Sequence, residues 1–112
     1  MNIPFLNIKK INSIRRDELL KAVTRVIDSG HYINGIENEQ FNENFANYCE
    51  TKYSLGVASG LDALNIIIKA YNFKPQSEII IPAHTFIASA LAVSMNNHIP
   101  VLADVNNDCN ID

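Results

Sequence analysis

The stretch EIIIPAHTFIASALAVSMNNHIPVLADV, residues 78–105, decides the fold. It opens on a run of three isoleucines at 79–81, continues through a mostly apolar segment of helical length, and closes on a second apolar run at 100–105. Short, continuously apolar runs are typical of strands buried on both faces of a parallel sheet. The stretch therefore predicts two parallel strands joined by a helix, with a right-handed crossover.

The residues just before this stretch add one more strand and one more helix. Residues 53–58 form a short strand candidate, and apolar residues recur at helical spacing from Leu61 to Tyr71. Such alternation predicts a parallel α/β layout, βαβαβ, over residues 53–112. Because ligands bind beyond the carboxyl ends of parallel strands, we expect residues 58–60, residues 82–86 and Asp104 to share one edge of the sheet.

The first half of the chain reads as leading helices and a loop, residues 1–52. Helical spacing of apolar residues predicts one helix from Ile14 to Ser29, which Gly30 ends, and a second from about Glu37 to Glu50. Between them lies GHYING, residues 30–35, which is polar and aromatic without a helical period. That segment is predicted to be a loop.

Composition excludes several classes of protein. A chain of 112 residues has room for one domain with a modest core, and its net charge of -3 argues against nucleic acid or an anionic membrane as a partner. Cys49 and Cys109 are far apart and lack the spacing of a metal site or a disulfide framework. With no apolar run near the roughly 20 residues of a membrane span, and no apolar leader segment, we expect a soluble cytoplasmic protein without a metal site.

The turn ASGLDAL, residues 58–64, is a candidate anion site. Free N–H groups at the start of a helix bind anions, Gly60 leaves room for a phosphate, and Ser59 offers a hydroxyl donor. The alternative is an ordinary helix start, capped by Ser59, with Gly60 chosen for its backbone. These residues alone favour the alternative.

The next turn, residues 82–89, carries His84 and Phe86. An aromatic face at this edge would stack on a flat heteroaromatic cofactor. The alternatives are that Phe86 belongs to the core and that His84 is a loop residue. For Asp104, a role in ordering its loop is favoured over a contact with a ligand.

In order and spacing, these motifs resemble the amino-terminal part of the DegT/StrS family of sugar aminotransferases, which use pyridoxal 5'-phosphate. The forms SGLDAL at 59–64 and HTFIAS at 84–89 are similar to the branch that aminates C3 of dTDP-linked 3-keto-6-deoxyhexoses. The matching stretches are residues 4–6, 29–35 with Glu37, 41–48, 56–64, 81–89, 100–105 and 110–112.

The resemblance implies a three-layer α/β fold with a mostly parallel sheet, in which residues 1–112 are the amino-terminal part of a fold-type-I large domain and 53–112 its cofactor-binding portion. It implies amino transfer, with glutamate as donor, to a nucleotide-linked keto-deoxysugar in amino-sugar or surface-polysaccharide biosynthesis, by an enzyme that is a homodimer at full length. It also implies that the amides of Gly60 and Leu61, with Ser59 nearby, hold the cofactor phosphate. Phe86 would stack on the pyridine ring, and Tyr32 would lie near the substrate.

The family's catalytic lysine has no counterpart among these residues, so no catalytic residue is assigned. The six lysines all fall outside the family's lysine motif: Lys9, Lys10, Lys21, Lys52, Lys69 and Lys74. Without such a lysine the family's chemistry cannot be completed, and we expect the chain alone to be inactive. Three descriptions stay open: a fragment without activity, one half of a split aminotransferase, and a non-catalytic phosphate- or nucleotide-binding module.

Overall fold

The computed structural model describes residues 4–112, which form two compact units, one ending at Gly56 and the other beginning at Val57. Residues 1–3, the start of the amino-terminal segment considered above, lie outside the described residues. Each unit has its own helices and its own hydrogen bonds.

The first unit is helical. The expected helix ending at Gly30 is present, and Gly30 takes the left-handed conformation that the glycine predicts, with φ of 67°. A short preceding helix was not expected; it begins where the Asn7 side chain accepts a hydrogen bond of 2.9 Å from the Lys10 N–H. The helices are α1 (Ile8–Ile14), α2 (Arg16–Ser29) and α3 (Ile36–Tyr48).

The end of the first unit is fastened to α3. The Gly56 N–H donates to Asn42 Oδ1 over 2.8 Å. A Cβ atom at Gly56 would lie 2.9 Å from Asn38 Oδ1, so a larger residue there would displace this side chain. Ala46 on α3 is buried, whereas the larger apolar side chains of the same helix, such as Phe41 and Phe45, are exposed.

The second unit contains the strand–helix–strand motif that residues 78–105 predict. Strands β1 and β2 pair in parallel, from Glu78 opposite Ile99 to Pro82 opposite Ala103. The connecting helix packs against both strands, and its Ala92 is almost fully buried. The elements are α4 (Gly60–Tyr71), β1 (Glu78–Pro82), α5 (Ala88–Met95) and β2 (Ile99–Ala103).

Helix α4 packs on α5, and an amide side chain links the two. Asn96, just after α5, donates from Nδ2 to Asn65 Oδ1 over 2.7 Å and to the Ala92 carbonyl over 2.7 Å. The amino-terminal ends of α4 and α5 carry the turns that the sequence singles out, so their packing sets the distance between those turns.

The expected strand at residues 53–58 is wrong for this structure. No described strand pairs with this segment, and its apolar side chains are exposed, Leu55 by 71%. An apolar segment of this kind forms a strand only where a neighbouring strand supplies hydrogen bonds. The described sheet therefore has two strands rather than three, in a mixed α/β unit.

The expectation that both strands are buried on both faces is also wrong for the described residues. Ile81 is buried, but Ile80 is 64% exposed and Leu102 is 65% exposed. One side of each strand therefore presents aliphatic side chains to solvent. The periodicity of a sequence indicates that a strand is apolar but not which residues cover its faces.

We expect the 112-residue chain by itself to self-associate, because exposed strand surface of this kind promotes association. Sedimentation velocity across a concentration series should show growing species. Replacing both Ile80 and Leu102 with lysine should reduce the association, whereas replacing the exposed Lys74 with alanine should not. A wild-type chain that stays monomeric at every concentration would contradict this expectation.

Candidate functional site

The start of α4 is capped by Ser59, as the simpler interpretation of the sequence predicts. Ser59 has extended backbone angles, and its Oγ accepts a hydrogen bond of 3.1 Å from the Asp62 N–H. The same hydroxyl donates a hydrogen bond of 2.7 Å to Asp62 Oδ2. Ser59 thus acts as a helix cap. Its hydroxyl can donate to an anion only after the hydrogen bond to Asp62 is broken.

The cap leaves two backbone donors of the first turn without partners. Among the described residues, nothing accepts a hydrogen bond from the N–H of Gly60 or Leu61, while the Ala63 N–H is satisfied by the Ser59 carbonyl at 3.0 Å. A Cβ atom at Gly60 would meet no atom within 4 Å, and its φ is not in the left-handed region. Neither packing nor backbone conformation therefore requires glycine at this position.

Phe86 lies beside this helix start, in an open and mostly apolar cavity of about 760 Å³ that we call the α4–α5 groove. Its volume is in the range of small-molecule sites. Phe86 is 78% exposed, so the alternative that it belongs to the core is wrong. The groove is lined by Ser59, Gly60, Leu61, Ala63, Leu64, Phe86, Ile87, Ala88 and Leu91.

The structure therefore brings together four of the five predicted site residues. Ser59, Gly60, Leu61 and Phe86 meet because the turns before α4 and α5 are adjacent. The sequence did not single out the aliphatic wall of the groove, formed by Leu64, Ile87 and Leu91. Apolar residues on a helix carry no signal that distinguishes a ligand wall from a core face.

His84 and Asp104 do not line the groove. His84 is exposed in the turn after β1. Asp104 Oδ1 accepts a hydrogen bond of 2.8 Å from the Val105 N–H, and its carbonyl accepts one of 3.1 Å from Asp112. The loop-ordering interpretation of Asp104 is confirmed.

Tyr32, the fifth predicted residue, lies in the first unit on residues 30–35, which we call the Tyr32 loop. Its side chain is 70% exposed, and it lines a cavity of about 150 Å³. The loop backbone is compact: a Cβ atom at Gly35 would lie 2.8 Å from the His31 carbonyl oxygen. Glycine at position 35 is thus required by a close approach between the two ends of the loop.

An ion pair joins the helices on either side of the Tyr32 loop. The Arg25 guanidinium contacts the Glu37 carboxylate through Nε and Oε1 and, over 3.0 Å, through Nη2 and Oε2. The hydrogen bond and charge of Arg25 lower the pKa of Glu37, and the same pairing raises the pKa of Arg25. The sequence did not indicate this pair, since its members are 12 positions apart with a loop between them.

Within residues 4–112, no group of three or more His, Cys, Asp or Glu side chains has the arrangement of a metal site. None of the helices in the described part of the chain is long and apolar enough to cross a membrane.

Residues 13–112 match the family model described as the DegT/DnrJ/EryC1/StrS aminotransferase family. The chain belongs to this family. Membership confirms the family that the turns at 59–64 and 84–89 suggested.

Three relatives illustrate the likeness. A dTDP-3-amino-3,6-dideoxy-alpha-D-galactopyranose transaminase of Aneurinibacillus thermoaerophilus is 48% identical over 98% of this chain, which spans 31% of that protein. The crystal structure of DesV from S. venezuelae, in complex with a ketimine intermediate, is 43% identical with a TM-score of 0.89 over 95% of this chain and 29% of DesV. The structure of NtdA from Bacillus subtilis, with bound cofactor PMP, is 29% identical with a TM-score of 0.85 over 94% of this chain and 24% of NtdA.

The chain thus spans less than a third of the length of these family members. The DesV and NtdA structures share the fold of the described residues, which correspond to one part of an aminotransferase.

Proposed function

We propose that this chain is the amino-terminal part of a pyridoxal-phosphate-dependent aminotransferase that acts on a dTDP-linked 3-keto-6-deoxyhexose, with glutamate as amino donor. The observation that carries the proposal is the α4–α5 groove, where two unpartnered backbone donors lie beside an exposed aromatic ring. The sugar class is supported by the names of the Aneurinibacillus transaminase and of a Streptomyces venezuelae dTDP-3-amino-3,4,6-trideoxy-alpha-D-glucose transaminase, 43% identical over 95% of this chain.

The phosphate end of the cofactor fits the start of α4. Two free N–H groups and the positive end of the helix dipole favour a dianion there. The open space at Gly60 lets phosphate oxygens approach the backbone as closely as a hydrogen bond requires. The negative charge of the Asp62 carboxylate repels a phosphate and so weakens this attraction. The hydrogen bond between Asp62 and Ser59 stabilises the helix cap beside the two free amides.

The pyridine end of the cofactor fits the exposed face of Phe86. Offset stacking of an aromatic side chain on a flat heteroaromatic ring contributes about 0.5–1.5 kcal/mol beyond the burial of area. Leu64, Ile87 and Leu91 continue the apolar wall and keep water from that side of the ring. When bound, the cofactor carries the amino group from donor to sugar, while these residues bind and orient it.

In the same proposal, the Tyr32 loop belongs to the substrate side of the enzyme, residues 1–52 are leading helices, and residues 53–112 are the cofactor-binding portion of a three-layer large domain. The exposed faces of Ile80 and Leu102 support the idea that further strands and helices complete that domain. A homodimer is proposed for the whole enzyme, with no nucleic acid or membrane partner.

The proposal is tested by assaying a full-length enzyme that carries this segment. With glutamate and cofactor, it should convert a dTDP-linked 3-keto-6-deoxyhexose to a 3-amino sugar, which mass spectrometry and NMR identify. The matched control is the 4-keto isomer, which should react far more slowly. Amination of the 4-keto isomer alone would contradict the proposed substrate, and amination of neither would contradict the proposed activity.

A further inference from the structure

The Tyr32 loop is held at both ends by one charged pair. Arg25 lies in the last two turns of α2 and Glu37 in the first turn of α3, so their ion pair spans the loop between the helices. Two parallel N–H to oxygen contacts join the planar guanidinium to the carboxylate. Bidentate pairs of this kind fix orientation as well as distance.

Contacts inside the loop fix its backbone further. The Ser29 hydroxyl donates to the Val26 carbonyl over 2.8 Å and accepts from the His31 N–H over 3.1 Å. Gly30 and Asn34 both have positive φ, at 67° and 50°, which turns the chain sharply at two points. The backbone of the loop is thus fixed by its own hydrogen bonds and turns, and the ion pair fixes the two helices that flank it.

The fixed loop presents two apolar side chains to solvent. Tyr32 is 70% exposed and Ile33 is 84% exposed. Binding residues lie disproportionately often on loops that a rigid scaffold positions. A loop already held in its bound conformation loses less conformational entropy when a ligand binds.

We infer that Arg25 and Glu37 are positioning residues, which hold the Tyr32 loop in the conformation that contacts the sugar nucleotide. This inference rests on the proposed function for its ligand, but the pair and the loop are features of the first unit alone. Because the pair acts on the loop before the ligand arrives, it lowers the KM for the sugar nucleotide and leaves cofactor binding and kcat unaffected.

The test uses a full-length enzyme carrying this segment and four variants: Arg25→Gln, Glu37→Gln, the charge exchange Arg25→Glu with Glu37→Arg, and Arg16→Gln. Arg16→Gln is the matched control, because Arg16 lies on the same helix and has no ion pair among the described residues. Hydrogen–deuterium exchange of peptides covering residues 30–36 reports on the loop without substrate. Steady-state kinetics and cofactor titration report on function.

Each single variant at the pair should raise loop exchange and the KM for the sugar nucleotide by about two- to fivefold, the range expected for one exposed ion pair. The cofactor Kd should not change, kcat should stay within about twofold, and the charge exchange should recover part of the loss. Arg16→Gln should match wild type.

Two results would overturn the inference. Loop exchange that matches wild type in both single variants would show that the pair does not hold the loop. Raised exchange with an unchanged KM, or with an equal loss of cofactor affinity, would show that the pair is merely structural. A wild-type enzyme that aminates no keto sugar would instead contradict the proposed function, and the exchange data would still decide whether the pair holds the loop.

Discussion

Replacing Gly60 with valine is expected to weaken cofactor binding by roughly tenfold to over a hundredfold in a full-length enzyme that carries this segment. A branched side chain at the start of α4 would occupy the open space through which a phosphate reaches the free amides of Gly60 and Leu61. Losing one charge-assisted hydrogen bond typically costs about 1.5–3 kcal/mol, and each 1.4 kcal/mol is about tenfold in affinity. Titration of the apoenzyme with pyridoxal phosphate measures the effect.

The structure supplies the controls for this substitution. Since a Cβ atom at Gly60 meets nothing within 4 Å, the valine variant should keep its melting temperature, which separates a lost site from a lost fold. Leu61→Ala should change affinity little, because the proposed phosphate contact uses only the Leu61 N–H. Phe86→Ala should weaken the free energy of cofactor binding by about 1 kcal/mol, because the stacking on the pyridine ring is lost. If a folded Gly60→Val enzyme bound the cofactor with unchanged affinity, the start of α4 would be an ordinary helix cap and not a phosphate site.

The 112-residue chain by itself is expected to form no amino sugar at all. Among the described residues, no lysine lines the α4–α5 groove, and Lys69 lies in the last turn of α4, away from its capped start. Amino transfer by this family's chemistry needs a lysine that bonds to the cofactor and moves a proton. Incubation with a dTDP-linked 3-keto sugar, glutamate and cofactor should therefore yield no product above background.

A full-length family member assayed in parallel shows that the conditions support catalysis. Borohydride reduction adds a second readout, since it should trap no cofactor on any single lysine of the isolated chain. Turnover, or a single trapped lysine, would contradict the expectation. Either result would also mean that one of the six lysines reaches the groove in solution.

The sequence was most informative where local rules are strong. The left-handed glycine after α2, the serine cap of α4 and the parallel pairing of β1 with β2 all follow from residue type and spacing. The strand expected at 53–58 fails for a physical reason, since a strand exists only with a partner, and no described strand pairs with this segment.

Some features of the candidate site could likewise be predicted from the sequence, and others could not. The order of strands and helices predicted that Gly60 and Phe86 share one edge of the sheet, whereas their cofactor roles were implied only by the family resemblance. The packing of α4 on α5 places them around one groove, although no described strand precedes α4. The ion pair of Arg25 with Glu37 was not predictable, because it depends on how the Tyr32 loop brings two helices together. The engagement of the Ser59 hydroxyl by Asp62 likewise depends on side-chain geometry that spacing does not determine.

The central claim is that the free amides at the start of α4 hold the cofactor phosphate while Phe86 stacks on its ring. The most direct measurement is a crystal structure of the full-length enzyme with PMP bound. We expect phosphate oxygens at about 2.7–3.2 Å from the backbone nitrogens of Gly60 and Leu61, the range of N–H to oxygen hydrogen bonds, with the pyridine ring against Phe86. A phosphate bound elsewhere, with water on these two amides, would contradict it.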